Sequence, residues 1–167
     1  MNYDYNPDAK CPVWENFIKT ITNDEPISAE NLQFIGGYIL FPDCKHQKVF
    51  ILMGDGGNGK SVYLEMLQKI YCDENVTHVE PNGLTQEFQR IRLKDSWLNI
   101  GADINSDFSR GEIREWILKI ADGTTIQACY KGMTHIDFNP RCKLIYACNQ
   151  MPTADIVNGL NRRFQFI

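Results

Sequence analysis

Eight consecutive residues, Gly54-Asp55-Gly56-Gly57-Asn58-Gly59-Lys60-Ser61, have the types and spacing of a phosphate-binding loop, G-x-x-x-x-G-K-[ST]. The chemistry follows from the residue types. Glycines let the backbone curl until its N–H groups converge on phosphate oxygens. A helix beginning at the loop adds the positive end of its dipole. Lys60 then reaches the β- and γ-phosphates, and the Ser61 hydroxyl is a ligand for Mg²⁺. All eight residues are therefore candidate nucleotide contacts. The context fits as well. An apolar, strand-like run, Val49-Phe50-Ile51-Leu52-Met53, precedes the loop, and a helix-like run from Ser61 to Ile70 follows it.

Binding a triphosphate needs only the loop, whereas hydrolysis needs a second acid to hold the Mg²⁺ shell or orient water. Such acids stand at the ends of core strands. Asp103 closes the apolar segment Trp97-Leu98-Asn99-Ile100-Gly101-Ala102 and is the candidate, read alternatively as a strand-end carboxylate or a helix cap. Asn149 ends the run Lys143-Leu144-Ile145-Tyr146-Ala147-Cys148. Its amide suits a γ-phosphate or an attacking water, although Asn before Gln-Met-Pro also makes an ordinary turn. Arg162-Arg163 offers permanently charged forks for phosphate, either as a finger inserted into a neighbouring subunit or as a solvated basic pair.

The elements that must position these groups alternate along the chain. Val13, Trp14, Phe17, Ile18 and Ile21 recur at helical spacing over residues 12–22, and a second helix is expected with Ser28 as its N-cap. Strand 48–53 and helix 60–71 enclose the loop. A short strand near 76–79, a helix across 85–93 and a strand across 97–102 come next. An amphipathic helix over 112–120 carries Ile113, Trp116, Ile117 and Ile120 on one face. A β-rich stretch over 124–138, the strand 143–148 and a last strand at 163–167 complete the pattern. Strands alternating with helices predict an α/β fold around a mostly parallel sheet, with ligands at the carboxyl ends of its strands. Two parts are expected, a helical lead-in over 1–45 and a nucleotide core over 46–167. The final strand breaks off at Ile167 with nothing to cover it, which predicts a longer polypeptide.

Composition excludes several classes. The 167 residues are 43% hydrophobic with a net charge of −4, so a real core is available and a uniformly basic nucleic-acid coat is not. The six cysteines form no C-x-x-C pair and the three histidines add no metal-ligand spacing; Cys44-x-His46 reads as a loop. Scattered free thiols, a polar N-terminus and the lack of a run of about 20 apolar residues point to a reducing cytosol and away from membranes.

The order of these stretches resembles that of the superfamily 3 helicases, in particular the phage and plasmid primase–helicase group related to poxvirus primase–helicases. Gly54–Ser61 looks like motif A, and Leu93–Asp103 resembles motif B. Lys119–Thr124, with Tyr130-Lys131 and Phe138-Asn139-Pro140, is similar to the intermediate motif, though it has Ala-Asp-Gly-Thr in place of Gly-Gly-Asp. Lys143–Pro152 looks like motif C, and Arg162-Arg163-Phe164 falls where the family keeps its arginine finger. The lead-in Asn31–Leu40 resembles the segment before motif A.

The resemblance implies an AAA+-like P-loop NTPase that hydrolyses ATP with Mg²⁺ between subunits of a homo-hexamer and moves on single-stranded DNA. It implies Lys60 on the phosphates, Ser61 and Asp103 on Mg²⁺, Asn149 as the γ-phosphate sensor and Arg163 as the finger. The 124–138 hairpin would line a channel, with Lys131 as its leading DNA contact and Tyr130 and His135 beside it. A primase domain or other replication proteins are the implied partners. A ring repeats each cation, so a net charge of −4 is compatible with gripping DNA. The phosphate loop alone also fits a small-molecule phosphotransferase, or a replication assembly factor that binds ATP without translocating.

Overall fold

Alternate residues of one strand belong to two different cores. In strand β1 (Val49–Met53), Val49 and Ile51 pack on one side and Phe50 and Leu52 on the other. A strand with both faces covered needs no polar alternation, and this one has none. The computed structural model describes residues 4–102, 104, 111–150 and 162–167.

Helices α1 (Pro12–Ile21), α2 (Pro26–Ile39) and α3 (Lys60–Tyr71) lie in sequence around β1. Strands β2 (Val76–Thr77) and β3 (Leu98–Gly101) follow, with the short helix α4 (Glu87–Arg90) between them. Helix α5 (Gly111–Ala121) leads to the hairpin β4 (Ile126–Ala128) and β5 (Ile136–Phe138), then to β6 (Lys143–Cys148) and β7 (Phe164–Phe166). Five strands form one parallel sheet in the order β2-β3-β6-β1-β7, and β4 with β5 forms a separate antiparallel pair. On one face, α2 and α3 bring Leu32, Ile35, Tyr63, Leu64 and Leu67 against Phe50, Leu98 and Ile145. On the other, Ile117 and Ile120 of α5, Leu84, Ile91 and the hairpin residues Ile126 and Phe138 cover Val49, Ile51, Leu144 and Tyr146. The expected α/β architecture, a parallel sheet flanked by helices, is what the chain adopts.

Local departures have identifiable causes. The cap of α2 is Glu25, whose carboxylate accepts from the Ile27 and Ser28 amides, so the helix starts at Pro26 and Ser28 is already inside it. The helix expected over 85–93 is instead a 3-10 turn at Pro81–Thr85, the single turn α4 and a second 3-10 turn at Ile91–Leu93. Arg90 sets this break. Its guanidinium lies 3.6 Å over the Trp116 ring and donates to the carbonyls of Leu84 and Gln127, tying the segment to α5 and β4. The lead-in helices share the α3-side core; Trp14 stacks on Tyr63 at 5.9 Å.

Buried Asn99 in β3 supplies a strand-like pair of bonds where the chain after β2 drifts off the sheet. Its Oδ1 accepts from the Val79 amide at 2.7 Å and its Nδ2 donates to the Val79 carbonyl at 2.9 Å. Asn99→Ala would orphan both backbone groups, and an unsatisfied buried group costs about 1–3 kcal/mol. A loss of about 2 kcal/mol in urea unfolding is expected, with the m-value unchanged.

Candidate functional site

The register of the sheet assembles the site. β1 and β6 run parallel with Met53 opposite Cys148, so the loop leaving β1 at Gly54 and the residue leaving β6, Asn149, emerge side by side at the carboxyl edge. β3 lies on the far side of β6, with Gly101 opposite Tyr146, and delivers Ala102 to the same edge. A cavity of about 420 Å³ opens there, lined by Gly56, Gly57, Asn58, Gly59, Lys60, Ser61, Val62, Ala102, Ala147 and Asn149. That volume suits a small-molecule ligand. Asp103 lies outside the described residues.

Within the loop, Gly57 and Gly59 have φ of 82° and 88°, the left-handed region that glycine adopts freely. Space beside Gly56 and Gly57 is open, since a Cβ there would meet nothing within 4 Å. Gly59 is different: a Cβ on it would lie 2.6 Å from Ile21 Cγ2, so the loop presses directly on α1. Gly59 also caps α3, whose first residues are Lys60 and Ser61. Lys60 Nζ donates to the Gly54 carbonyl, to the Asp55 carbonyl at 3.3 Å and to Asn58 Oδ1 at 3.0 Å. The ammonium is thereby held over the loop at the cavity wall. Asn58 and Lys60 also border a second hollow of about 240 Å³, lined further by Ile21, Thr22, Asn23, Ser28, Leu32, Leu52, Met53, Tyr63 and Ile167.

Arg163 is far from this edge. It precedes β7, whose Phe164 stands opposite Val49 at the amino end of β1, so the length of a strand separates it from the loop. Its Nε and Nη2 fork onto the Asp122 carboxylate at 2.7 and 2.8 Å, joining β7 to the turn after α5. Arg162 Nη2 donates to Gln47 Oε1 at 3.0 Å.

The hairpin stands apart from the phosphate-loop cavity. Tyr130 and Lys131 are exposed at its tip, and Met133 is 66% exposed beside them. His135 Nε2 lies 2.8 Å from Glu87 Oε2, and Cys129 Sγ donates to the same oxygen at 3.7 Å. Sequence reading missed Glu87 as a partner because 48 residues separate it from His135. No helix among the described residues is long and apolar enough to cross a membrane.

Solved structures confirm the fold. Three structures of the C-terminal region of NrS-1 superpose on this chain. The apo structure of residues 305–718 gives a TM-score of 0.77 at 16% identity, covering 99% of this chain and 41% of that one. The A-form apo structures give 0.73 at 17% identity, covering 95% and 37%, and 0.71 at 18% identity, covering 99% and 41%. The chain thus spans about two-fifths of the length of those structures. No curated protein matches it. A family-level profile does, over residues 52–163, from the end of β1 to Arg163. On that match the chain belongs to DUF5906, a family of unknown function.

Proposed function

We propose that this chain is the ATP-hydrolysing core of a DNA-replication motor of the superfamily 3 type, with an AAA+-like P-loop fold. The observation that carries this reading is the convergence of Lys60, Ser61 and Asn149 on one cavity at the carboxyl ends of adjacent parallel strands. A sheet edge of this kind is where open α/β folds take nucleotides. The residues fit ATP with Mg²⁺: glycines with open space beside them, a lysine at the cavity wall, a hydroxyl at the first turn of α3 and Asn149 on the same cavity.

In this reading Lys60 exchanges its loop carbonyls for phosphate oxygens. The Gly56–Gly59 amides follow the phosphate chain, and Asn149 orients the water that attacks the γ-phosphate. Ser61 and Asp103 are assigned to Mg²⁺, which when bound neutralises charge on the phosphates. Arg163, remote from its own loop, is assigned to the site of a neighbouring subunit, which makes a homo-hexameric ring the working form. The exposed Lys131 and Tyr130 are assigned to single-stranded DNA, by charge and by stacking.

The test is steady-state ATP hydrolysis at several protein concentrations, with and without single-stranded DNA. Turnover per chain that rises with concentration and is stimulated by DNA supports a translocating motor. Turnover indifferent to both overturns it and favours a phosphotransferase.

A further inference from the structure

Glu87 belongs to α4 and Cys129 and His135 to the hairpin connection, yet one ligand atom from each falls within 4.8 Å of the other two. Cys129 directly follows β4 and His135 directly precedes β5, so they are the next facing pair beyond Ala128 and Ile136, at the mouth of the hairpin loop. Glu87 opens α4 and approaches that mouth from the side. One of the two closest separations is near that of a coordination sphere, and the other is shorter. Ligands on a tetrahedral zinc, with Zn–S near 2.3 Å and Zn–N or Zn–O near 2.0 Å, stand roughly 3.3–3.6 Å apart. Here Cys129 Sγ and Glu87 Oε2 are 3.7 Å apart, and His135 Nε2 and Glu87 Oε2 are 2.8 Å apart. Small rotations of these half-exposed side chains open the second gap; His135 and Glu87 are 49% and 46% exposed.

We infer that Glu87, Cys129 and His135 form a binding site for a divalent transition metal, zinc by ligand type, with water as the fourth ligand. One thiolate and one carboxylate neutralise the 2+ charge, and neutral imidazole completes the mixed S, N, O set that suits zinc. The nearby cation does not occupy the site. Both terminal nitrogens of the Arg90 guanidinium donate to backbone carbonyls, and its plane lies over Trp116. The consequence is mechanical. A metal there closes the 130–134 loop at its base and fastens it to α4, fixing where Tyr130 and Lys131 point.

The test uses Co²⁺ as a spectroscopic probe and Zn²⁺ as competitor on the reduced, metal-free chain. Expected are one equivalent of tightly bound Co²⁺, a thiolate-to-cobalt charge-transfer band, and loss of that band on adding one equivalent of Zn²⁺. Cys129→Ser is expected to abolish the band, and Cys11→Ser, on the exposed lead-in, to leave it intact. Outer partners of metal ligands alone are worth about 10- to 100-fold in affinity. His135→Gln, which removes a direct ligand, is therefore expected to weaken zinc by at least about 100-fold. All three positions are partly exposed, so near-ultraviolet circular dichroism should match wild type. A band that survives Cys129→Ser, or Co²⁺ binding without any such band, overturns the assignment.

Discussion

Lys60→Ala should remove nucleotide binding while leaving the ligand-free fold intact. The ammonium's partners are two loop carbonyls and Asn58 Oδ1, at a site open enough for water to replace it, so the substitution orphans no buried group. Against a triphosphate the same ammonium makes charge-assisted bonds, and a bond to a charged group is worth about 1.5–3 kcal/mol. Two of them lost amounts to about 3 kcal/mol or more, over a hundredfold in Kd. Titration with a fluorescent ATP analogue checks the affinity, and thermal unfolding without nucleotide checks the fold. Equal affinity in variant and wild type would remove the phosphate assignment from this loop.

Gly59→Ala is expected to be among the most destabilising single-methyl changes in the chain. Two costs coincide there. The left-handed backbone at φ 88° disfavours a side chain by about 1–2 kcal/mol. The new Cβ would also sit 2.6 Å from Ile21 Cγ2 and 3.3 Å from Phe17 Cε2, and overpacking costs about 1–3 kcal/mol. A loss of about 4 kcal/mol in chemical denaturation follows. The matching change Gly57→Ala has the same backbone cost but open space around it, so its loss should be about 1–2 kcal/mol. Equal losses at the two positions would show that α1 does not press on the loop.

What could be read from residue order alone was whatever depends on local pattern. The strand, loop and helix over 49–71 follow from an apolar run, fixed glycines and a helical period, and the structure has them within a residue. Asn149 could be placed at the end of a strand because the five residues before it, Leu144 to Cys148, are apolar; that β6 lies beside β1 is a matter of sheet order, which the chain does not spell out. Local pattern failed where a distant partner decides. At α2 the difference is local: Glu25, not Ser28, accepts from the first free amides of the helix, those of Ile27 and Ser28. Arg90 breaks a helix for the sake of Trp116, 26 residues away in the chain. His135, which the resemblance implies as a DNA contact beside Lys131, has Glu87 against it only because the fold brings the two together. Asp103 and residues 151–161 lie outside the described residues, so the acid of the expected site stands as read from the sequence.

The fork between Arg163 and Asp122 makes this arginine answer new anions by exchange, not by capture. Two of its donors are already aligned on a carboxylate, with each side chain only about one-fifth exposed at 22% and 20%. An incoming group must offer more than a single negative charge in the same planar geometry, and must leave Asp122 somewhere to be solvated. The turn after α5 therefore holds Arg163 in a two-point ion pair that any other anion has to displace.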